Sequence, residues 1–249
     1  MSNYPNLRNA PVAEAMIEIR ARLAKPAGEP EYRAFQDRLK GQYPKAQQIR
    51  FFPAELKFDA DAPTRRDITN GIVGVRLDDA EGKWVVQGKS DGLTISRLTP
   101  YDSWDDLVGN LRALWPVYVD IFKPEAAVRL GVRYINAIPL PAGTSDLDTI
   151  LTAGPRIPQD IAPELAEFMT RLVFSMPDTG ALMTVVQALG AIAVGGVKRD
   201  GVILDIDAAC EQSFEPDWSP LWAKLEQLRD AKNKAFFSSL TKPTWEQFL

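Results

Sequence analysis

The stretch GIVGVRLDDAEGKWVVQGKSDGLTISRL, residues 71–98, decides the fold. Three runs rich in apolar residues, 71–78, 83–88 and 93–98, are separated by Asp78-Asp79-Ala80-Glu81-Gly82 and Gly88-Lys89-Ser90-Asp91-Gly92. These connections supply the Gly and Asp that short hairpins require, so the runs are expected to be antiparallel neighbours in a meander.

Working outward toward the N-terminus, residues 12–23 place Ala13, Ala15, Ile17, Ile19, Ala21 and Leu23 in alternation with Glu14, Glu18, Arg20 and Arg22. A period of two means a strand with one buried and one wet face. After Lys25-Pro26-Ala27-Gly28, Pro30 opens a helix in which Tyr32, Phe35, Leu39 and Tyr43 recur at helical spacing and which Pro44 ends. A further strand is expected at 48–58.

Toward the C-terminus, Tyr101 to Phe122 reads as a helix with Trp104, Leu107, Val108, Leu111, Trp115, Tyr118 and Phe122 on one face. Pro116 is expected to kink it or end its regular part. A long strand at 126–139 follows, then a Pro-rich connection holding at most one short helix, started by Ser145 with Asp148 three residues on. Strands at 165–176, 181–191 and 201–209 are linked by Pro177-Asp178-Thr179-Gly180 and Arg199-Asp200-Gly201. Ser219-Pro220 then caps a helix to about residue 239 with Leu221, Leu225, Leu228 and Phe236 inward, and Thr241 caps a short terminal helix. Consecutive strands with few helical crossovers predict an α+β fold, mainly an antiparallel curved sheet with long helices packed on one face. We expect a single domain over residues 1–249. Each of the halves 1–123 and 124–249 ends as a run of strands followed by a long amphipathic helix, which suggests an internal structural repeat.

Composition excludes several chemistries. The 249 residues are 45% hydrophobic and 25% charged, with no histidine, one cysteine and a net charge of −4. Classical triads and zinc hydrolases need imidazole, so both are excluded. Walker-type phosphate loops, Cys-x-x-Cys pairs and nucleophile elbows are absent. Cys210 cannot form an internal disulfide and reads as a buried spectator thiol. The acidic balance argues against nucleic acid as a partner, and no run approaches the roughly 18 apolar residues of a membrane span. A cytoplasmic protein without a cofactor is expected.

Three places carry candidate chemistry. Tyr101-Asp102-Ser103-Trp104-Asp105-Asp106 opens the main helix. Asp102 or Ser103 can accept from free helix N–H groups, and this capping role is preferred over a metal site built from the acidic cluster. In the 126–139 strand, Val128, Leu130, Val132, Tyr134, Asn136 and Ile138 share one face, with Arg129, Gly131 and Arg133 opposite. Asn136 is the polar residue on an apolar face, so it either ties down a loop or lines a pocket. In the last strand Asp205 and Asp207 share a face about 7 Å apart. They could hold Mg²⁺ for hydrolysis, or pair across the sheet with Arg129 and Arg133; pairing is preferred.

Asn9-Ala10-Pro11, Ser96-Arg97-Leu98-Thr99-Pro100-Tyr101 with Trp104, Gly131 to Asn136, Leu204-Asp205-Ile206-Asp207, and Asn233 with Phe236 and Phe237 before Thr241 occur in a characteristic order. In this the chain resembles a sporadically distributed prokaryotic family of similar length whose members are functionally uncharacterised. That resemblance transfers no site or activity, and it implies a defence-related or toxin-antitoxin-like setting. The family pattern often has a histidine in the last long helix, where this chain has Arg229 and Asp230.

The function expected is a non-catalytic binding module that recognises a partner protein or small ligand where the sheet meets the 103–122 and 219–239 helices. Tyr101, Trp104, Arg133, Tyr134 and Asn136 are the candidate contacts. The alternative is a Mg²⁺-dependent hydrolase or nuclease using Asp205 and Asp207. Homo-oligomerisation is left open.

Overall fold

A computed structural model describes residues 4–51, 71–141, 146–156, 165–194 and 197–249. The strands are β1 (Val12–Leu23), β2 (Lys45–Phe51), β3 (Gly71–Asp78), β4 (Trp84–Lys89), β5 (Gly92–Leu98), β6 (Pro124–Pro139), β7 (Phe168–Met176), β8 (Ala181–Val194) and β9 (Val197–Cys210). The helices are α1 (Glu29–Leu39), α2 (Trp104–Phe122), α3 (Ser219–Ser239) and α4 (Lys242–Glu246). Among the described residues nine strands join one sheet in the order β2-β3-β4-β5-β1-β6-β9-β8-β7. Every neighbouring pair is antiparallel, and the sheet stays open, with β2 and β7 at its edges. The α+β class with an antiparallel sheet is therefore what the chain adopts. Among the described residues no helix is long and apolar enough to cross a membrane.

The alternation of β1 sets the core. Ala15, Ile17 and Ile19 are fully buried. Ile17 lies opposite Ile95 of β5 and Val132 of β6, and Ile19 opposite Leu93 and Leu130. Each such side chain removed from water contributes about 1.5–3 kcal/mol. Helix α2 packs against β1 and β5, α3 against β6, β8 and β9, and α1 against β3, β4 and α2. Tyr32, Phe35 and Leu39 are the buried residues of α1, at the expected spacing. Phe35 sits so close to β4 that a Cβ on Gly88 would lie 2.7 Å from its ring.

At Pro116 and in β2 the structure adds detail to the expected elements. Helix α2 continues past Pro116 to Phe122. A proline ring removes one N–H and frees the carbonyl four residues earlier. Both Pro116 and Arg112 are exposed, so water can satisfy that carbonyl, while buried Trp115, Tyr118 and Phe122 hold the helix on the sheet. Leu114 joins the buried stripe and Val108 lies at its margin. The strand expected at 48–58 begins earlier, at Lys45, and residues 52–58 lie outside the described ones. Ser145 also lies outside them. Asp146 caps the short 3-10 turn Leu147–Thr149 by accepting from the Asp148 N–H at 3.0 Å.

At the β7 edge Met169, Leu172, Val173 and Phe174 remain exposed. The opposite end of the sheet is where α1 and Gly88 fit together, and there the tolerance is tight. Gly88→Ala is expected to lower stability by about 1–3 kcal/mol, because the Phe35 ring must shift in a filled core. A urea denaturation midpoint equal to that of the parent would show that the ring yields freely.

Candidate functional site

Helix α3 buries Leu221, Leu225, Leu228 and Phe236, the four residues its periodicity points inward. Between Leu228 and Phe236 two further positions are buried, Ala231 and Lys232. This lysine is only 9% exposed. Its Nζ stands 3.6 Å from the centroid of the Tyr134 ring, whose π face attracts a cation. Among the described residues no carboxylate forms an ion pair with it. Burial, with repulsion from Arg229 added, lowers the ammonium from its usual range to about 7.

Tyr134 reaches this point because strand periodicity puts Leu130, Val132, Tyr134, Asn136 and Ile138 on the face covered by α3. Its hydroxyl shares a 2.8 Å hydrogen bond with that of Tyr101, and the two rings meet edge to face. Burial raises Tyr101 to about 12 and Tyr134 well above its ordinary value, so both phenols stay neutral through the physiological range. The segment between β5 and α2 delivers Tyr101. It is tied down where Arg97, buried and lying over the Trp84 ring at 5.2 Å, donates to Asp102 at 3.0 Å. Ser103 then starts α2 by accepting from the Asp106 N–H.

Trp104, the first residue of α2, connects the two long helices. Its Nε1–H donates to Glu226 of α3 at 2.8 Å. Arg229 donates to the same carboxylate at 3.2 Å and lies 5.4 Å over the Trp104 ring. Asn136 is 1% exposed and donates to the Leu204 carbonyl of β9 at 2.9 Å. It thus fastens β6 to the neighbouring strand, not to a loop, and it also lines the cavity.

These groups border a half-open cavity of ≈ 250 Å³ lined by Tyr101, Trp104, Tyr134, Asn136, Arg229 and Lys232 and walled on one side by Tyr4 to Leu7 and Ala10 to Val12. Tyr4 stacks on Phe237 with ring centroids 4.8 Å apart, which fixes that wall to the end of α3. No family model and no curated protein matches the chain. The cavity's chemistry therefore has to be taken from its own residues. Its lining carries two cationic side chains, Arg229 and Lys232, three tyrosines, three asparagines and the carboxylates of Asp102 and Asp105. Asp102 is engaged by Arg97, and neither carboxylate forms an ion pair with Lys232.

Four of the five contacts expected from sequence, Tyr101, Trp104, Tyr134 and Asn136, meet at this cavity. Arg133 does not, because adjacent residues of a strand point to opposite faces. It lies on the other side of β6, where its Nε donates to Asp205 at 2.8 Å. That hydrogen bond holds the Arg133 guanidinium above its ordinary range. Arg129 bonds Glu18 and lies 3.5 Å from Asp207, whose carboxyl burial raises in spite of the arginines nearby. Asp205 and Asp207 therefore sit in cross-strand ion pairs, and among the described residues no three acidic or thiol side chains gather as a metal-binding group. Cys210 is buried, and burial pushes its thiol up. Lys232 and Arg229 also line the cavity and were not among the contact residues named from sequence. The signal was present, since a lysine four residues from Leu228 and four from Phe236 falls on the apolar stripe.

The two faces generate separate expectations. For the ion-pair face, a double-mutant cycle of Arg133→Ala and Asp205→Ala should give a coupling of about 0.2–1 kcal/mol that shrinks in high salt. Zero coupling would release both residues from a structural role. For the cavity, the folded-state value of Lys232, about 7, lies below the ordinary 10.5. Between those values the unfolded chain binds more protons, so stability rises with pH, by at most about 1.4 kcal/mol per pH unit. Lys232→Met should flatten the pH dependence of the urea midpoint between roughly pH 7 and 9.5. An unchanged slope in that variant would mean that the ammonium is not desolvated.

Proposed function

We propose that this protein is a binding module that holds a small anionic ligand in the cavity between β6, the start of α2 and α3. Of the two targets expected from sequence, a partner protein or a small ligand, a concave cavity with a buried cation at its wall supports the second. One observation carries the reading: Lys232 is buried beside Arg229 and has no carboxylate partner among the described residues. A buried cation is costly unless paired, and a bound anion supplies the missing partner. The size of the cavity suits a ligand of a few heavy atoms to metabolite size. Tyr101 and Tyr134 offer hydroxyl donors beside the cation, and Trp104 fixes the helix pair that forms the rim.

The same reading extends to the architecture. We take the helices as one layer on the cavity side of the sheet and the halves, β1 to α2 and β6 to α3, as two versions of one unit. In each half a leading strand pairs with the last strand of a meander, and a helix of 19 or 21 residues follows. A pseudo-twofold between β1 and β6 would relate them.

Calorimetry with a panel of small carboxylates and inorganic phosphate tests the function. Anion binding should raise the proton affinity of Lys232, so near pH 7 binding should take up a fraction of a proton, seen as a heat that depends on buffer ionisation enthalpy. Affinity should fall at least about tenfold in Lys232→Met, a loss of about 1.4 kcal/mol. Binding that survives in that variant without proton uptake would place the ligand elsewhere, and a panel without any binder would remove the reading.

A further inference from the structure

We propose that Lys232 is a nucleophile that captures a small α-oxo acid as an imine inside this cavity. The inference rests on the cavity being the ligand site, as proposed above, and adds the chemical class of the ligand. The geometry separates Lys232 from other lysines of the chain. Lys40, Lys123 and Lys242 are 71–72% exposed and pair with carboxylates. Lys232 is buried, lines a cavity and faces an aromatic ring with a second cation nearby. Desolvation and a neighbouring positive charge both favour the neutral amine, whose lone pair is the nucleophile.

The surroundings supply what imine formation needs. The Nζ lone pair bonds to the carbonyl carbon while the C=O π pair moves to oxygen, which takes a proton as nitrogen gives one up. The carbinolamine so formed loses its hydroxyl as water once that oxygen is protonated, and the nitrogen lone pair closes the C=N bond. The balance is amine plus carbonyl plus one proton, borrowed from a phenol, to iminium plus water; the nitrogen returns that proton when the neutral imine forms, with no change of oxidation state. Two hydroxyls sharing one hydrogen bond, as Tyr101 and Tyr134 do at 2.8 Å, leave one phenol proton uncommitted. That proton can serve the departing oxygen. Arg229 uses one N–H on Glu226, and its planar fork has others to hold a carboxylate. The carboxylate in turn offsets the iminium charge, which is why an α-oxo acid fits better than a neutral aldehyde.

Reductive trapping tests this on the full chain. Glyoxylate or pyruvate with cyanoborohydride near neutral pH, followed by peptide mass mapping, should give one adduct per chain at Lys232. It should form at least about tenfold faster than at any exposed lysine, because far more of a desolvated lysine is neutral at that pH. Excess oxalate, which has the carboxylates but no ketone or aldehyde, should slow labelling at Lys232 alone. Tyr101→Phe should slow trapping more than it weakens oxalate binding, as expected of a proton-handling group. Mapping the parent protein needs no variant to fold. Labelling confined to exposed lysines overturns the imine. If oxalate still binds with proton uptake in that case, the anion site stands without it. If oxalate also fails to bind, both readings fall.

Discussion

The antiparallel ladder between β1 and β6 is the contact on which the rest of the molecule depends. It joins the meander β2 to β5 to the block β7 to β9, and it places Ile17 and Ile19 against Val132 and Leu130 in the middle of the core. The register also fixes both faces at once. A slip of one residue would bring Arg129 and Arg133 into the core and turn Tyr134 and Asn136 to the other side. The register therefore carries the stability of the sheet and the composition of the cavity together.

One strand thus serves two chemistries separated only by the pleat. On one face of β6, Arg129 and Arg133 are neutralised by Glu18, Asp205 and Asp207, all held by neighbouring strands. On the other, Tyr134 and Asn136 meet a lysine that has no such neighbour among the described residues. The contrast is energetic. The ion pairs are half-buried, satisfied and modest in worth. The lysine is desolvated and supported by a ring face alone, a state that folding tolerates at a cost. Local costs of this kind concentrate at sites that handle ligands.

Much of the fold was legible because the sequence obeys local rules. The alternation in β1 matches the observed strand, and the Gly- and Asp-bearing connections of 71–98 produce the hairpins they imply. The helix expected to reach Phe122 does so, and Pro116 does not end it, since the buried aromatics around it hold the helix on the sheet. The site was legible in part. Tyr101, Trp104, Tyr134 and Asn136 were identifiable as polar or aromatic residues at the ends of elements. Arg133 was named with them although the alternation of the strand already put it on the opposite face, where it pairs with Asp205. Lys232 was missed because a charged residue in an amphipathic helix is normally assigned to water.

The sequence by itself determined which segments become strands and helices and which side chains of each share a face, because periodicity and turn chemistry are local properties of the chain. Tertiary structure alone decided which faces meet. Residues 101, 134 and 232 are brought together by strand order and helix packing, and only that packing removes Lys232 from water and sets it against Tyr134. Burial and electrostatic environment arise from neighbours distant in sequence, so the feature that most distinguishes this cavity had no local signature beyond its place on a stripe.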